Sequence, residues 1–417
     1  MPAIQTSELQ MDRDIHLLRR VFPDVTIEDF VIGKGPRVIG REPPSRGIGI
    51  RDSEASREHA SIALNGDAVW LEDLKSTNGT FVNDQRVERT RLYDQDLIQI
   101  GRSLFVYTKH TMKFGDDVII NQGEVSIARA QVENYARTVA DSDISVLITG
   151  PTGAGKEHLA ALVHESSGRM GPIITVNCGA IPPNLIASEL FGHKKGSFSG
   201  ATTDRQGLFR SAQGGTLFLD EVAELPLEVQ ANLLRVCETK EVRPVGSDTV
   251  FKVDVRLVSA TLAPLEARVK SGDFRADLLA RLRGVTLTLP PLRSRRDEIL
   301  ALFRRFCGPR DFGLTVAKRL LLNDWVENVR GLKGAAEHAL LFCPADGPLR
   351  ASDLPENMRR SVAETPGRRL DGDDESRDEL LQRLLTETDG NVAEVARRMG
   401  VHRQQVYRWM KRAQIER

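Results

Sequence analysis

The stretch Gly150-Pro-Thr-Gly-Ala-Gly-Lys156-Glu157 restricts the fold of this chain more than any other. It follows the apolar, β-branched run Ile144-Ser-Val-Leu-Ile-Thr149, which reads as a buried strand, and precedes His158-Leu-Ala-Ala-Leu-Val163, whose apolar residues recur at helical spacing. Strand, Gly-rich turn and helix in that order point successive backbone N–H groups into a concavity at a helix N-terminus, where the helix dipole adds positive potential. Lys156 can reach the β- and γ-phosphates of a nucleotide seated there. Gly150, Pro151, Thr152, Gly153, Ala154, Gly155, Lys156 and Glu157 are therefore the expected ATP-binding segment. A hydroxyl that ligates Mg2+ usually follows the lysine; Glu157 stands there instead.

A chain of 417 residues holds two to four domains. Its formal net charge of +0 provides no global basic field, so any attraction for nucleic acid must be local. Cys178, Cys237, Cys307 and Cys343 lie far apart without zinc or redox spacing and fit buried thiols in a reducing compartment. Neither a bilayer-length apolar run nor a signal-peptide pattern is visible, so a soluble, cytoplasmic protein without membrane partners is expected.

From Phe30 to about Tyr107, short alternating strands separated by Gly, Asn and Asp turns read as an all-β sandwich. Three polar clusters punctuate them: Gly40-Arg41, Ser56-Arg57-Glu58-His59 and Ser76-Thr-Asn-Gly-Thr80. In this order and spacing they resemble the glycine-arginine, Ser-Arg-x-His and Thr-Asn-Gly motifs of forkhead-associated (FHA) domains, which capture phosphothreonine with the loops at one end of the sandwich. The resemblance implies that Arg41, Ser56, Arg57, Thr77 and Asn78 contact the phosphopeptide, and that His59 and Gly79 hold the loops. Guanidinium groups make charge-assisted bonds to a phosphate dianion, which suits that role.

The centre of the chain alternates strands and helices, as a parallel sheet requires. Gly215-Thr-Leu-Phe-Leu-Asp220-Glu221 is an apolar strand ending in two acids; Asp220 can hold Mg2+ and Glu221 can polarise an attacking water. Glu189-Leu-Phe-Gly-His-Lys-Lys-Gly196-Ser-Phe-Ser-Gly-Ala201 resembles the diagnostic loop of the AAA+ domain of bacterial enhancer-binding proteins, the activators of sigma-54 RNA polymerase. In that family glutamate commonly follows the phosphate-loop lysine. The resemblance implies that Gly196, Ser197, Phe198, Ser199, Gly200 and Ala201 contact sigma-54, with Phe198 as an aromatic anchor. It further implies that Asn177 couples Glu221 to the nucleotide state, that Arg275 and Arg281 act as arginine fingers across a subunit boundary, and that Arg330 senses the γ-phosphate. Three departures bear on turnover: Leu262 follows Thr261 where the family has asparagine, Ser197 and Ser199 replace alanine and threonine, and Trp325-Val-Glu-Asn328 replaces Trp-Pro-Gly-Asn.

Beyond Asp346 Pro, Gly, Arg and Asp dominate and read as a linker. Helical patterns then run from Leu380 to about Thr388, Val392 to Met399 and Arg403 to Ala413. From Arg397 onward seven Lys/Arg face the single acid Glu416. This layout resembles the Fis-type helix-turn-helix of the same activators, which implies that Arg403, Gln404, Gln405, Arg408 and Lys411 face DNA. Ala393, Val395, Ala396 and Val406 read as core.

The expected fold class is an all-β sandwich, an α/β AAA+ P-loop ATPase with a helical lid, and an all-α helix-turn-helix. The expected boundaries are 15–112, 117–345, 346–376 for the linker, and 377–417. The implied function is ATP-driven remodelling of sigma-54 RNA polymerase holoenzyme from enhancer DNA, with ATP and Mg2+ as cofactors and a homo-oligomeric ring, hexameric by family expectation. A phosphothreonine protein from a serine/threonine kinase pathway would regulate it. The alternative is a hydrolysis-poor, nucleotide-binding scaffold with the same FHA and DNA-binding modules; a helicase loader or unfoldase leaves the Phe198 loop without a role.

Overall fold

The computed structural model describes residues 13–23, 28–112, 126–344 and 347–359, with the isolated positions 384, 385, 388, 391, 392, 395 and 410. Two compact units are present, Met1–Leu354 and Pro355–Arg417.

The N-terminal part of the first unit is a sandwich of β1 (Arg13–Phe22), β2 (Glu28–Val31), β3 (Arg37–Gly40), β4 (Ile48–Gly49), β5 (Ala60–Asn65), β6 (Ala68–Asp73), β7 (Thr80–Val82), β8 (Gln85–Val87), β9 (Arg89–Leu92), β10 (Leu97–Ile100) and β11 (Ser103–Met112). One sheet has the order β2-β1-β11-β10-β7-β8 and the other β4-β3-β5-β6-β9. Alternate residues of a strand face opposite sides, and the inward set, including Leu18, Ile39, Ile62, Leu71, Ile98 and Phe105, forms the core between the sheets. β1 and β11 pair along their length, from Arg13 opposite Met112 to Phe22 opposite Leu104. β1 lies ahead of the segment that alternation marks as sandwich, for a reason that follows from its burial.

The α/β part contains α1 (Ile127–Ala140), β12 (Val146–Thr149), α2 (Lys156–Ser166), β13 (Ile173–Asn177), α3 (Pro183–Phe191), α4 (Leu208–Ser211), β14 (Thr216–Asp220), α5 (Leu227–Thr239), β15 (Glu241–Val242), β16 (Phe251–Lys252), β17 (Arg256–Thr261), α6 (Leu265–Ser271), α7 (Ala276–Leu282) and β18 (Val285–Thr288). Its main sheet, β13-β14-β17-β12-β18, is parallel throughout. Its strands are apolar runs because both faces are covered; every residue of β17 is buried. The 3-10 segment Leu292–Glu298 leads into the helical lid, α8 (Ile299–Cys307), α9 (Leu314–Leu322) and α10 (Asn328–Phe342).

Residues 347–354 belong to this body, although the composition there is already linker-like. The Leu349 N–H donates to the Asp311 carbonyl at 2.9 Å, the Asp353 carbonyl meets His338 Nδ1 at 3.0 Å, and Leu349 and Leu354 are buried.

In the second unit α11 (Glu356–Arg359) is described, and Leu384, Leu385, Val392, Val395 and Met410 are buried. Arg403, Gln404, Gln405, Arg408 and Lys411 lie outside the described residues, as do Ala393, Ala396 and Val406. Among the described residues no helix is long and apolar enough to cross a membrane. The four cysteines are unpaired, and burial pushes the Cys178 thiol up to about 12.

Candidate functional site

The loop between β12 and α2 is held open by three glycines with positive φ: Gly150 (153°), Gly153 (71°) and Gly155 (106°). Gly153 needs its missing side chain as well, since a Cβ there would stand 2.3 Å from the Glu327 carbonyl oxygen. Lys156, the first residue of α2, turns its ammonium back across the loop and donates to the carbonyls of Gly150 at 3.1 Å and Pro151 at 3.3 Å. Burial lowers its pKa, the Asp220 and Glu221 carboxylates raise it and Arg330 lowers it again. The groups singled out as Lys156, Asp220, Glu221 and Arg330, far apart in sequence, thus share one electrostatic environment.

Asp220 ends β14, opposite Asn177 of β13 in the parallel register. Its Oδ1 accepts from the Glu221 N–H at 3.0 Å. Glu221 takes a left-handed φ of 55°, which swings its carboxylate sideways. Glu221 Oε2 occupies the space beside Gly179, 2.6 Å from where a Cβ would begin. Asn177 Oδ1 accepts from the N–H groups of Gly179 and Ala180 at 2.9 and 3.1 Å. Asn177 therefore sets the turn on which the Glu221 carboxylate rests rather than gripping that carboxylate with this oxygen.

Among the described residues no group of three or more His, Cys, Asp or Glu could cage a metal ion. Two carboxylates facing a phosphate loop instead suit Mg2+, which keeps several waters and is commonly held by one or two carboxylates together with nucleotide phosphates.

Two residues that sequence reasoning did not place here hold the loop from outside. Asn328 is 2% exposed; its Nδ2 donates to the Thr152 carbonyl and its Oδ1 accepts from the Leu292 N–H, both at 2.8 Å. The next residue, Val329, donates its N–H to the Gly153 carbonyl at 2.9 Å. Arg295, 1% exposed, donates from Nη2 to the Ala154 carbonyl at 3.1 Å and pairs with Glu298 at 2.6 Å. The signal for Asn328 was its place beside Arg330; nothing local marked Arg295 within a charged run.

Arg275 and Arg281 stand apart from this cluster within one chain. They flank and close α7, are substantially exposed, and pair with Asp277 at 2.7 Å and Glu238 at 3.1 Å. Leu262 is 61% exposed just beyond β17, and the hydroxyl of buried Thr261 donates to the Ala263 carbonyl at 3.1 Å.

The Phe198 loop is a tight hairpin. Gly196 donates to the Ala201 carbonyl at 2.8 Å, Ala201 donates to the Phe198 carbonyl at 3.0 Å, and Gly200 has a φ of 104°. Ion pairs of Lys194 with Asp204 and of Glu189 with Arg205 brace its stem. Phe198 is half-buried rather than presented freely, with its ring edge-on to His193 at 5.0 Å.

At the other candidate site, Arg41, Arg57, Thr77 and Asn78 are exposed at one apex of the sandwich, with Ser56 half-buried among them. The loops are laced together: the Arg41 N–H donates to the Ser56 carbonyl at 3.0 Å, the Thr77 N–H to Ser56 Oγ at 3.1 Å and Asn78 Nδ2 to the Glu54 carbonyl at 2.7 Å. His59 is fully buried beneath them. Its Nδ1 accepts from the Ser56 N–H at 3.1 Å, which leaves the proton on Nε2 to donate to the Gly79 carbonyl at 3.2 Å. Burial lowers its pKa and favours that neutral form. Arg86, not among the expected contacts, lies over Gly79; a Cβ at that glycine would meet its Nε at 2.6 Å.

Fold and site together define a P-loop protein of the α/β class, with a phosphate loop, two acids at a strand end, and a β-sandwich whose polar loops converge. Residues 123–288 match the Sigma-54 interaction domain, residues 37–101 the FHA domain and residues 377–416 a helix-turn-helix domain. The chain is 41% identical over 273 residues to the sigma-54-dependent transcriptional activator SfnR of Pseudomonas putida, covering 62% of this chain and 74% of SfnR. It is 37% identical over 291 residues to the transcriptional regulatory protein GlrR of Escherichia coli, covering 67% of this chain and 65% of GlrR, a little under two-thirds of that relative's length. A crystal structure of NtrX from Brucella abortus in complex with ADP superposes with a TM-score of 0.53 at 31% identity, covering 70% of this chain and 69% of that one. The chain belongs to the sigma-54-dependent transcriptional activators and carries FHA and helix-turn-helix domains.

Proposed function

We propose that the protein is an ATP-hydrolysing activator of sigma-54 RNA polymerase holoenzyme, controlled by phosphothreonine recognition and bound to enhancer DNA by a Fis-type helix-turn-helix. The observation that carries the proposal is the glycine loop 150–156 with the Lys156 ammonium turned across it, and with Asp220, Glu221 and Arg330 close enough to act on its charge. In this reading the loop amides and Lys156 bind the β- and γ-phosphates, and Arg330 faces the γ-phosphate. Asp220 would hold Mg2+, which when bound supplies positive charge to the phosphate oxygens. Glu221 orients and deprotonates the attacking water, and the Asn177 turn sets where its carboxylate lies. Arg275 and Arg281 complete a neighbouring protomer's site, which calls for a ring, hexameric by family expectation. Exposed side chains at the start and in the last turn of α7, paired with the exposed acids Asp277 and Glu238, suit that use. The hairpin Gly196–Ala201 presents Phe198 to sigma-54, with the His193 contact as its resting place.

The apex Arg41, Ser56, Arg57, Thr77 and Asn78 takes the phosphothreonine of a partner from a serine/threonine kinase pathway. Arg403, Gln404, Gln405, Arg408 and Lys411 read DNA. The proposed modules are 15–112, 117–345 and 377–417, in a cytoplasmic protein. ATP hydrolysis by the purified chain should rise cooperatively with protein concentration, vanish in Glu221→Gln and support open-complex formation by sigma-54 holoenzyme. Hydrolysis without open-complex formation at any cognate promoter defeats the remodelling claim.

The exposure of Leu262 and the turning of Thr261 onto Ala263 favour a second, scaffold reading in which ATP is bound and not hydrolysed. Nucleotide binding without turnover, cured by Leu262→Asn, would decide for it.

A further inference from the structure

The outer face of the β1–β11 sheet is not a solvent face. On β11 Phe105 and Tyr107 point into the sandwich core, so Leu104, Val106 and Thr108 point away from it, yet each is 0% exposed. On β1 Leu18 points inward, while Leu17, Arg19 and Val21 point outward at 0%, 1% and 3% exposure. Burial on both faces explains why β1 shows no polar alternation.

Contacts on this side of the sandwich run to the α/β part and its lid. Arg19 Nη1 donates to Asp297 Oδ2 at 2.5 Å, while its Nε and Nη2 grip Asp29 at 2.6 and 2.9 Å. The Arg296 N–H donates to Gln95 Oε1 at 2.8 Å, and Arg296 Nη1 donates to Asn83 Oδ1 at 3.1 Å and to the Gln95 carbonyl at 2.5 Å. Lys318 pairs with Asp84, Phe22 stacks on Phe312 at 6.4 Å, and Arg304 donates to the Pro23 carbonyl at 3.3 Å.

Four successive residues of the segment Leu292–Glu298 divide between two tasks. Arg296 and Asp297 hold the sandwich; Arg295 and Glu298 face the other way, with Arg295 on the phosphate-loop carbonyl of Ala154. The non-helical backbone at Arg295, φ −137° and ψ 41°, is what turns neighbouring side chains to opposite sides. The Asn83–Asp84 turn closes β7 at the end away from Thr80, so the docked surface leaves the Arg41, Arg57, Thr77 and Asn78 apex open.

We propose that the outer β1–β11 face is a docking surface for the segment Leu292–Glu298 of the same chain, and that Arg295 couples this contact to nucleotide held by the loop 150–156. A phosphopeptide captured at the free apex then rides on the ATPase without displacing the sandwich. The coupling rests on the nucleotide-binding reading above; the docking does not. Its physical basis is the buried Asp297 carboxylate. With Arg19 removed, that carboxylate loses its ion pair in a dry interface, and its charge acts on the Arg295 guanidinium two residues away, which is engaged on the phosphate loop.

Two measurements on the full-length protein test the proposal. Asp84→Cys combined with Lys318→Cys should be bridged within one chain by a short bis-maleimide, equally with and without a phosphothreonine peptide; failure to bridge in a variant that binds nucleotide normally would overturn the docking. In titrations with a fluorescent ADP analogue, Arg19→Ala should weaken binding at least about five-fold. Adding Asp297→Asn should restore it to within about two-fold of the parent, because the charge beside Arg295 is gone, whereas the loss of Arg19 from Asp29 on the sandwich side is common to both variants. Unchanged affinity in Arg19→Ala, or a double variant as weak as the single, overturns the coupling, provided that Lys156→Ala abolishes binding. Binding that survives Lys156→Ala overturns instead the assignment of the nucleotide site.

Discussion

Replacing Asn328 by alanine removes the side chain that ties the lid to the phosphate loop, and the structure sets the size of the effect. The Leu292 N–H, on a residue with 0% exposure, loses its acceptor and stays buried, at a cost of about 1–3 kcal/mol. The Thr152 carbonyl belongs to an exposed residue and can turn to water, so its lost bond costs about 1 kcal/mol. Asn328 has a φ of 54°, a conformation in which alanine is disfavoured by roughly 1 kcal/mol. The sum is about 4 kcal/mol, which for a domain of this size lowers Tm by roughly 8–16 °C. Asn328→Gly separates the contributions: it loses the same hydrogen bonds and keeps the left-handed backbone without strain, so it should lie about 1 kcal/mol above the alanine variant. Thermal unfolding followed by calorimetry gives both numbers, and nucleotide titration should show weakened binding in both variants. A Tm for Asn328→Ala within about 2 °C of the parent would refute the assignment of Asn328 as a tether.

His16, His59 and His110 all have pKa values lowered from 6.5, chiefly by burial. Their neutral forms contribute stability that is present above the unfolded pKa and lost as pH falls through the folded values, so urea unfolding should show stability declining below about pH 6.5; a flat profile between pH 7 and 5 would contradict the reading. Gly40→Ala puts a Cβ 2.1 Å from the Arg57 carbonyl oxygen, so it should shift the Ser56–Arg57 loop and lower phosphothreonine-peptide affinity by about ten-fold or more in calorimetric titration. Lys156→Ala and Arg281→Ala should each lose ATP turnover by about 100-fold or more, and mixing the two should recover part of it. No recovery in mixtures that still assemble would place Arg281 outside the active site.

The phosphate loop, the acids ending β14 and the three polar loops of the sandwich are legible in the chain itself, because each depends on a short run of residues whose backbone needs are local. Glycines with φ of 153°, 71° and 106° and an apolar strand feeding a helix leave few alternatives. The family relation was legible for the same reason, through the contiguous stretch Glu189–Ala201. What the tertiary structure decided is how these pieces bear on one another. Arg19 meets Asp297 across 278 positions, and Arg295 reaches Ala154 across 141; in sequence both arginines sit in runs that read as solvated charge. β1 carries no alternation because its outward face is covered by a domain rather than by water, and periodicity cannot say what covers a face. Phe198 likewise reads as an offered ring, and only the fold lays it against His193. Local backbone requirements are written residue by residue, whereas the pairing of buried charges is chosen by which surfaces the folded chain brings into contact, where an unpaired partner would cost several kcal/mol.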